Sequence, residues 1–148
     1  MKIIRKTVLK AFKNWEPDPS IRCYHYAAAF SGKRMVAFAK NNPNKTHARV
    51  YRLGGKFNVP KYQEYSFYHA ETHLVTKLLD KYNYIDDSLR IVVLRINRLG
   101  VILGSQPCEN CSKVLEAVNL TNIWYSRDDG LFEHSSGKIV RLPEYALV

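Results

Sequence analysis

The sequence lacks the features that would assign it to a membrane-spanning, disordered or repeat class. No apolar run in its 148 residues approaches the roughly 18 residues that a membrane-spanning helix needs, so we expect no membrane partner. Its 46% hydrophobic content argues against disorder, and it contains no internal repeat or low-complexity tract. The basic N-terminus leads into no apolar segment with a small-residue cleavage site, so we expect no secretory signal. A chain of this length fits one domain, and we predict a single domain over residues 1–148.

Cysteine is scarce, and its number and spacing argue against a disulfide framework. The chain has three cysteines, Cys23, Cys108 and Cys111, which is an odd number with two of them three positions apart. In a protein without a secretory signal, this spacing is typical of metal binding. We therefore predict a cytoplasmic protein that holds a metal.

Acidic residues are absent from one long segment of the chain, residues 19–63. That segment contains nine of the 23 Lys and Arg residues, which leaves 14 against 13 acidic residues elsewhere, so it accounts for nearly all of the formal charge of +10. Aromatic residues are interspersed with these cations. Cations that follow phosphates, beside aromatic faces that stack bases, are typical of a single-strand nucleic-acid groove. We predict that Arg49, Arg52, Lys56 and Lys61 contact nucleic acid; a nucleotide-phosphate pocket and a solvated face are the alternatives.

The pattern of apolar residues predicts an α/β fold. Apolar positions recur at helical spacing over residues 5–15 and 69–81, and Pro107 can open a third helix. Short apolar and aromatic runs predict strands over residues 22–30, 35–39, 90–96, 101–103, 121–126 and 138–142. Residues 45–65 show no sustained period and are predicted to form a long basic loop. This order of elements predicts a sheet covered by helices in an α/β sandwich.

Two short motifs carry candidate chemistry. One predicted helix begins at His69-Ala70-Glu71, and the next begins at Pro107-Cys108-Glu109-Asn110-Cys111. Two cysteines at positions i and i+3 of a first turn present both sulfurs on one face, and the helix N-terminus stabilises their thiolates. Together with His69, they supply three protein ligands to zinc and leave the fourth tetrahedral position for water, which is the pattern of a catalytic site. A structural zinc site, or a cysteine pair that only packs, is the alternative.

Glu71 has a different predicted role from His69, although the two are only two positions apart. Residues two apart on a helix point about 200° from each other at roughly 100° per residue, so both reach one site only if the helix points its N-terminus at it. We therefore predict that Glu71 is a base beside the metal. It would take a proton from water and return it to a leaving amine.

The two motifs together, H-x-E followed by P-C-x-x-C, resemble the signature of the zinc nucleobase deaminases. The chain is similar in this to the cytidine deaminase-like superfamily, and the order of its predicted elements agrees over most of its length. The resemblance implies an α/β/α sandwich with a central mixed sheet of about five strands flanked by helices. It also implies one Zn²⁺ per chain and a hydrolase that deaminates a nucleobase.

Within this resemblance, we expect conversion of cytosine to uracil in single-stranded DNA or RNA, in preference to adenine to hypoxanthine. A free cytidine or deoxycytidine nucleotide is the alternative substrate. A zinc-stabilised nucleic-acid-binding module without activity is the alternative function. Small free-substrate deaminases of this superfamily commonly form tetramers, so a homo-oligomer is left open.

Three residues are predicted to contact substrate. In the superfamily, an Asn just after the second strand touches the substrate, and Asn41 occupies that place, with Asn42 as the alternative one position on. Tyr125 ends a strand near the expected pocket, where either it or Trp124 stacks on the base. Ser105, shortly before the cysteine motif, is the third predicted contact.

Overall fold

The computed structural model describes residues 2–18, 21, 23–46, 67–82 and 84–142. Within these residues the chain forms three helices: α1 (Lys2–Asn14), α2 (Ala70–Lys81) and α3 (Glu109–Ala117). The strands there are β1 (Cys23–Ser31), β2 (Arg34–Lys40), β3 (Asn42–Thr46), β4 (Phe67–Tyr68), β5 (Arg90–Asn97), β6 (Ile102–Leu103), β7 (Ile123–Ser126), β8 (Phe132–His134) and β9 (Ile139–Val140). No described helix is long and apolar enough to cross a membrane.

Seven strands form a central mixed sheet in the order β2-β1-β5-β7-β8-β9, with β6 paired to β5. β5 and β7 run parallel, and the other neighbouring pairs in this sheet are antiparallel. Helices pack against this sheet, so the predicted α/β sandwich is confirmed. The sheet has more strands than the roughly five that were expected. The main reason is that the chain turns back after β7 and adds β8, whose three residues are too few to show an alternating pattern.

A second, two-stranded sheet pairs β3 with β4 in antiparallel orientation. The sequence predicts the end of a strand and then a loop in this part of the chain. The pattern fails here because β3 has the sequence Asn-Pro-Asn-Lys-Thr, whose proline and asparagines disfavour a strand assignment. β4 ends directly before His69, so this small sheet leads the chain into the first motif.

The two faces of the central sheet bury different cores, because successive residues of a strand point to opposite sides. Along β1, Tyr26, Ala28 and Phe30 belong to the cluster that packs against α1. Ala27 and Ala29 belong to the cluster that packs against α2 and α3. The α1 cluster also buries Ile3, Ile4, Val8, Val92, Leu94, Ile96, Trp124 and Phe132. Most apolar residues of α1 are therefore core residues, as their spacing predicts, but Leu9, which the same spacing places toward the core, is 39% exposed.

Polar residues gather at one end of the sheet on the side of α2 and α3. His25, near the start of β1, is paired in register with Arg95 near the end of β5. β2 ends at Lys40, and the backbone N–H of Asn41 then donates a hydrogen bond to the carbonyl of His25 at 3.0 Å. Apolar pairs thus fill the middle of this face, whereas polar side chains that can bind a ligand lie at this end.

Candidate metal centre

Both motifs take the same local form, an extended residue directly followed by a helix. His69 has φ −78° and ψ 150° and caps α2, and Cys108 has φ −65° and ψ 167° and caps α3. The backbone N–H of Cys111 donates a hydrogen bond to Cys108 Sγ at 3.4 Å, which satisfies one N–H group of the first turn of α3. The prediction that a helix begins at each motif is confirmed, and both N-termini meet at one place. Pro107, which is predicted to open the second of these helices, lies before its N-cap, Cys108.

His69, Cys108 and Cys111 form one compact group that could hold a metal ion. Their ligand atoms all lie within 4.8 Å of one another. Nδ1 of His69 is 3.3 Å from Cys111 Sγ and 3.7 Å from Cys108 Sγ. Cys111 is buried, whereas Cys108 is exposed, so the group opens to solvent on the Cys108 side. The structure therefore brings together the three ligands that the sequence predicts.

The electrostatics of the group favour a thiolate at Cys108. A hydrogen bond with the Cys111 side chain, supported by one with His69, lowers the pKa of Cys108 to about 4, although partial desolvation of the sulfur opposes this shift. The hydrogen bond with Cys108 in turn raises the pKa of His69. The thiolate is the form of cysteine that binds metals, so this environment prepares Cys108 as a ligand.

Glu71 lies beside this group and is not one of its three members. Its side chain is buried in the first turn of α2, with 5% of the residue exposed. Burial raises the pKa of Glu71, and a hydrogen bond with the Cys111 side chain opposes that shift. A carboxyl group with a raised pKa can both accept and return a proton near neutral pH, which suits the predicted role.

His25, which lies in a predicted strand and has no predicted role in the site, is a neighbour of this ligand group. Burial, followed by the charges of Arg95 and His69, lowers the pKa of His25 to about 4, so the imidazole is neutral at pH 7. The signal that could have identified it is the alternation along β1. His25 shares its face with Ala27 and Ala29, which pack under α2 and α3.

Asn41, a predicted substrate contact, lies next to His25. Its side-chain oxygen Oδ1 accepts a hydrogen bond from the backbone N–H of His25 at 3.0 Å. With the backbone bond in the opposite direction, this fixes the residue at the point where β2 leaves the sheet. The amide oxygen is thus hydrogen-bonded to β1, and the Nδ2 group is the part of Asn41 that can donate a hydrogen bond to a ligand.

Ser105, another predicted substrate contact, is buried, and its hydroxyl is used within the fold. It donates to the carbonyl of Val93 at 2.8 Å and accepts from the backbone N–H of Ser126 at 2.9 Å. The hydroxyls of Ser105 and Ser126 also lie 2.8 Å apart. These bonds tie the segment before the cysteine motif to β5 and β7. A side-chain contact between Ser105 and a substrate would have to replace one of them.

Tyr125, the third predicted substrate contact, lines an open cleft of about 640 Å³ between the Ser105 segment and the β7–β8 hairpin. Its hydroxyl donates a hydrogen bond to Glu133 Oε2 at 2.5 Å, and this bond raises the pKa of Tyr125. Arg127 bridges the same carboxylate at 3.3 Å. The cleft borders the metal centre through Arg95, which lines it and also acts electrostatically on His25.

The predicted nucleic-acid contacts Arg49, Arg52, Lys56 and Lys61 lie outside the described residues. Comparison of the chain with protein-family models, with curated proteins and with solved structures gives no match.

Proposed function

We propose that this protein is a zinc-dependent hydrolase that deaminates a nucleobase, with cytosine in single-stranded DNA or RNA as its preferred substrate. The observation that supports this most is the meeting of two helix N-termini at one place. That arrangement puts three metal-binding atoms within 4.8 Å of one another and a buried carboxyl group, Glu71, beside them.

The chemistry of the ligand atoms supports zinc as the metal. Two sulfurs and one imidazole nitrogen are a donor set typical of Zn²⁺ in proteins. In a tetrahedral zinc site, a sulfur ligand and a nitrogen ligand lie about 3.6 Å apart, given the usual bond lengths. The two distances from Nδ1 of His69, 3.3 and 3.7 Å, lie on either side of that value. The two sulfur–nitrogen distances therefore suit the ion.

The residues of the chain would divide the work as follows. His69, Cys108 and Cys111 hold the ion, which when bound lowers the pKa of water and so supplies a nucleophile near neutral pH. Glu71 accepts a proton from the attacking water and returns it to the nucleobase, so that the amino group of the nucleobase leaves as ammonia. Asn41 orients the substrate through its Nδ2 group, and His25, which is neutral, forms the neighbouring part of the pocket.

A non-catalytic zinc-stabilised module is the rival function, and the position of Glu71 argues against it. A structural zinc site is closed by a fourth protein ligand. Within the described residues, the group that could hold an ion has three members, and the nearby Glu71 is not one of them. A buried carboxyl group has a desolvation cost, and proton transfer at the site gives a reason for its presence.

The test is base conversion by the zinc-loaded protein. Single-stranded DNA and RNA oligonucleotides are incubated alongside free cytidine and deoxycytidine nucleotides, and ammonia release and the product base are measured. Glu71→Gln should keep one zinc per chain and lower turnover by at least about 100-fold, because it removes the base and not a ligand. Glu116→Gln, on the exposed side of α3, is the matched control and should keep both. Absence of conversion on every substrate, or loss of zinc in Glu71→Gln, would contradict the proposal.

A further inference from the structure

The outer edge of the central sheet, formed by β2, carries a dense group of positive charges. β2 is the edge strand of the sheet. Basic side chains from α1, α2 and β5 contact β2 or the β1–β2 turn. We call this set the basic edge; it comprises Lys6, Lys10, Lys33, Arg34, Lys40, Lys77, Lys81 and Arg90. α1, β1 and β2 contain no acidic residue, and on the outer part of α2 the acidic residue is Asp80.

A regular ladder of side chains joins α2 to this edge. Nδ1 of His73 lies 3.0 Å from the carbonyl oxygen of Lys40. One and two turns further along, Lys77 donates to the carbonyl of Phe38 at 2.7 Å and Lys81 donates to that of Val36 at 3.0 Å. The match arises because four residues of helix rise about 6 Å and two residues of strand about 6.6 Å.

The ladder holds like charges close together at the middle of the strand. On one side of β2, the ammonium group of Lys10 lies 5.2 Å from the centre of the Phe38 ring. On the other side, Lys77 is bound to the carbonyl of the same residue. Burial and the neighbouring charges of Lys10 and Lys40 lower the pKa of Lys77, as expected for cations held near one another. An anion placed here would relieve that repulsion.

The same ladder leads directly to the metal centre. His69, His73, Lys77 and Lys81 follow one another at intervals of four residues, so they form one line along α2. β2 runs beside that line and ends at Lys40, next to Asn41. A chain of phosphates bound along the basic edge would therefore be guided toward the ligand group and the predicted substrate contact.

We propose that the basic edge binds the phosphate backbone of single-stranded nucleic acid and guides the strand to the metal centre. Deamination of a base at the metal centre is the part of this inference that rests on the proposed function. Each lysine ammonium has three donors, and the ladder uses one of them in Lys77 and in Lys81. The remaining donors can bind phosphate oxygens, which lysine contacts as a point charge.

Protection of an exposed strand edge against pairing with another chain is the competing role for these lysines. It accounts for Lys77 and Lys81, whose ammonium groups occupy carbonyls of β2. It does not account for Lys10, which reaches the same point from the opposite face and binds a ring rather than a carbonyl. The convergence of cations from both faces of the sheet favours an anionic ligand.

The experiment measures binding without any chemistry. The zinc-loaded protein is titrated against a fluorescent oligothymidylate, which contains no base that can be deaminated, over a range of salt concentrations. The triple variant Lys10→Gln, Lys40→Gln, Lys77→Gln should reduce the slope of log affinity against log salt by about 2, because each lost phosphate contact contributes about 0.7 for a single strand. Between about 50 and about 200 mM salt, the variant should then lose about 20-fold less affinity than the parent.

The control removes three charges that lie outside the basic edge. Arg98→Gln, Lys138→Gln, Arg141→Gln has the same net charge as the test variant, and its sites are exposed in the β5–β6 turn and around β9. Its salt slope should equal that of the parent. If the triple variant is unstable, Lys10→Gln, Lys40→Gln leaves the ladder intact and should reduce the slope by about 1.4.

The outcomes separate this proposal from the proposed function. An unchanged slope in the test variants, or an equal change in the control, would overturn the basic edge even if the enzyme deaminates cytosine. A reduced slope in a protein without deaminase activity would support the basic edge and reject the proposed function. Tight binding to vesicles with anionic lipid but not to the oligonucleotide, lost in the same variant, would overturn nucleic acid as the ligand.

Discussion

The two faces of the central sheet are built on the same strands, yet one is a closed core and the other ends in a candidate site. The face under α1 buries a continuous apolar cluster that includes Phe30 and Trp124. The face under α2 and α3 is equally apolar in the middle, but at one end both helices begin, and His69, Cys108 and Cys111 converge there. Helix N-termini are where a fold exposes N–H groups and favours thiolates. The position of this site is therefore set by where the two helices begin, and the strands serve mainly to align those helices.

Removal of a buried metal ligand should have the largest effect and should be confined to the face of α2 and α3. In Cys111→Ala, bound zinc should fall from one per chain to near zero, and stability with zinc present should drop by on the order of 5 kcal/mol, because metal binding to such sites is coupled to folding. Metal analysis and denaturation with and without a chelator measure both effects.

Cys23→Ala is the matched control for that substitution. Cys23 accepts hydrogen bonds from Arg95 at 3.1 and 3.3 Å and is not a member of the ligand group, so this variant should keep its zinc. Zinc retained in Cys111→Ala, or lost in Cys23→Ala, would show that the ligand set is wrong.

A core substitution under α1 should affect stability alone. Phe30 is fully buried, and Phe30→Ala should cost about 3–5 kcal/mol from the lost apolar contacts and the cavity left behind. The folded variant should still bind one zinc per chain, because Phe30 points away from the ligand group. Denaturant unfolding and metal analysis of the same sample check this. Loss of zinc from the folded variant would mean that the two faces are coupled.

The elements could be predicted from the sequence where periodicity is long, as in residues 69–81, whose helix is observed as Ala70–Lys81. The two motifs that supply the ligand group could be predicted because the residue types and spacing within each motif are local, although His69 and Cys108 are 39 positions apart. β8 and β4 could not, because three and two residues show no period and neither strand lies in a predicted apolar run, as the equally short β6 and β9 do. The neighbourhood of His25 depends on register between distant strands, which a single sequence does not display.

The role of Ser105 shows the same limit, because its hydroxyl bonds to residues that are distant in the sequence. Ser105→Ala removes a buried hydroxyl and leaves the carbonyl of Val93 and the N–H of Ser126 without that partner, so it should cost about 1–3 kcal/mol in the free energy of unfolding. If the hydroxyl serves only the fold, KM for the substrate should be unchanged while stability falls. A higher KM at unchanged stability would instead establish Ser105 as a substrate contact.

The smallest expected effect concerns protonation at the boundary between the apolar middle of the face and the metal centre. The fold lowers the pKa of His25 from 6.5 to about 4, chiefly by burial and then by the charge of Arg95. The folded protein disfavours the charged imidazole, whereas the unfolded chain takes up a proton near pH 6.5. The free energy of unfolding is therefore highest above pH 6.5, where the imidazole is neutral in both states, and it falls as the pH falls from 6.5 toward 4. Between about pH 7 and about pH 5.5, the parent should lose about 1 kcal/mol more stability than His25→Gln, which does not titrate.

Zinc release at low pH affects both proteins, so the difference between them isolates the imidazole. Denaturant unfolding in one zinc-containing buffer series measures that difference. If it does not change with pH, His25 is hydrated in the folded protein, and the apolar middle of this face ends before it reaches the metal centre. If it changes as expected, the low-polarity surroundings extend to the ligand group, where they would strengthen each charge interaction that a proton transfer by Glu71 requires.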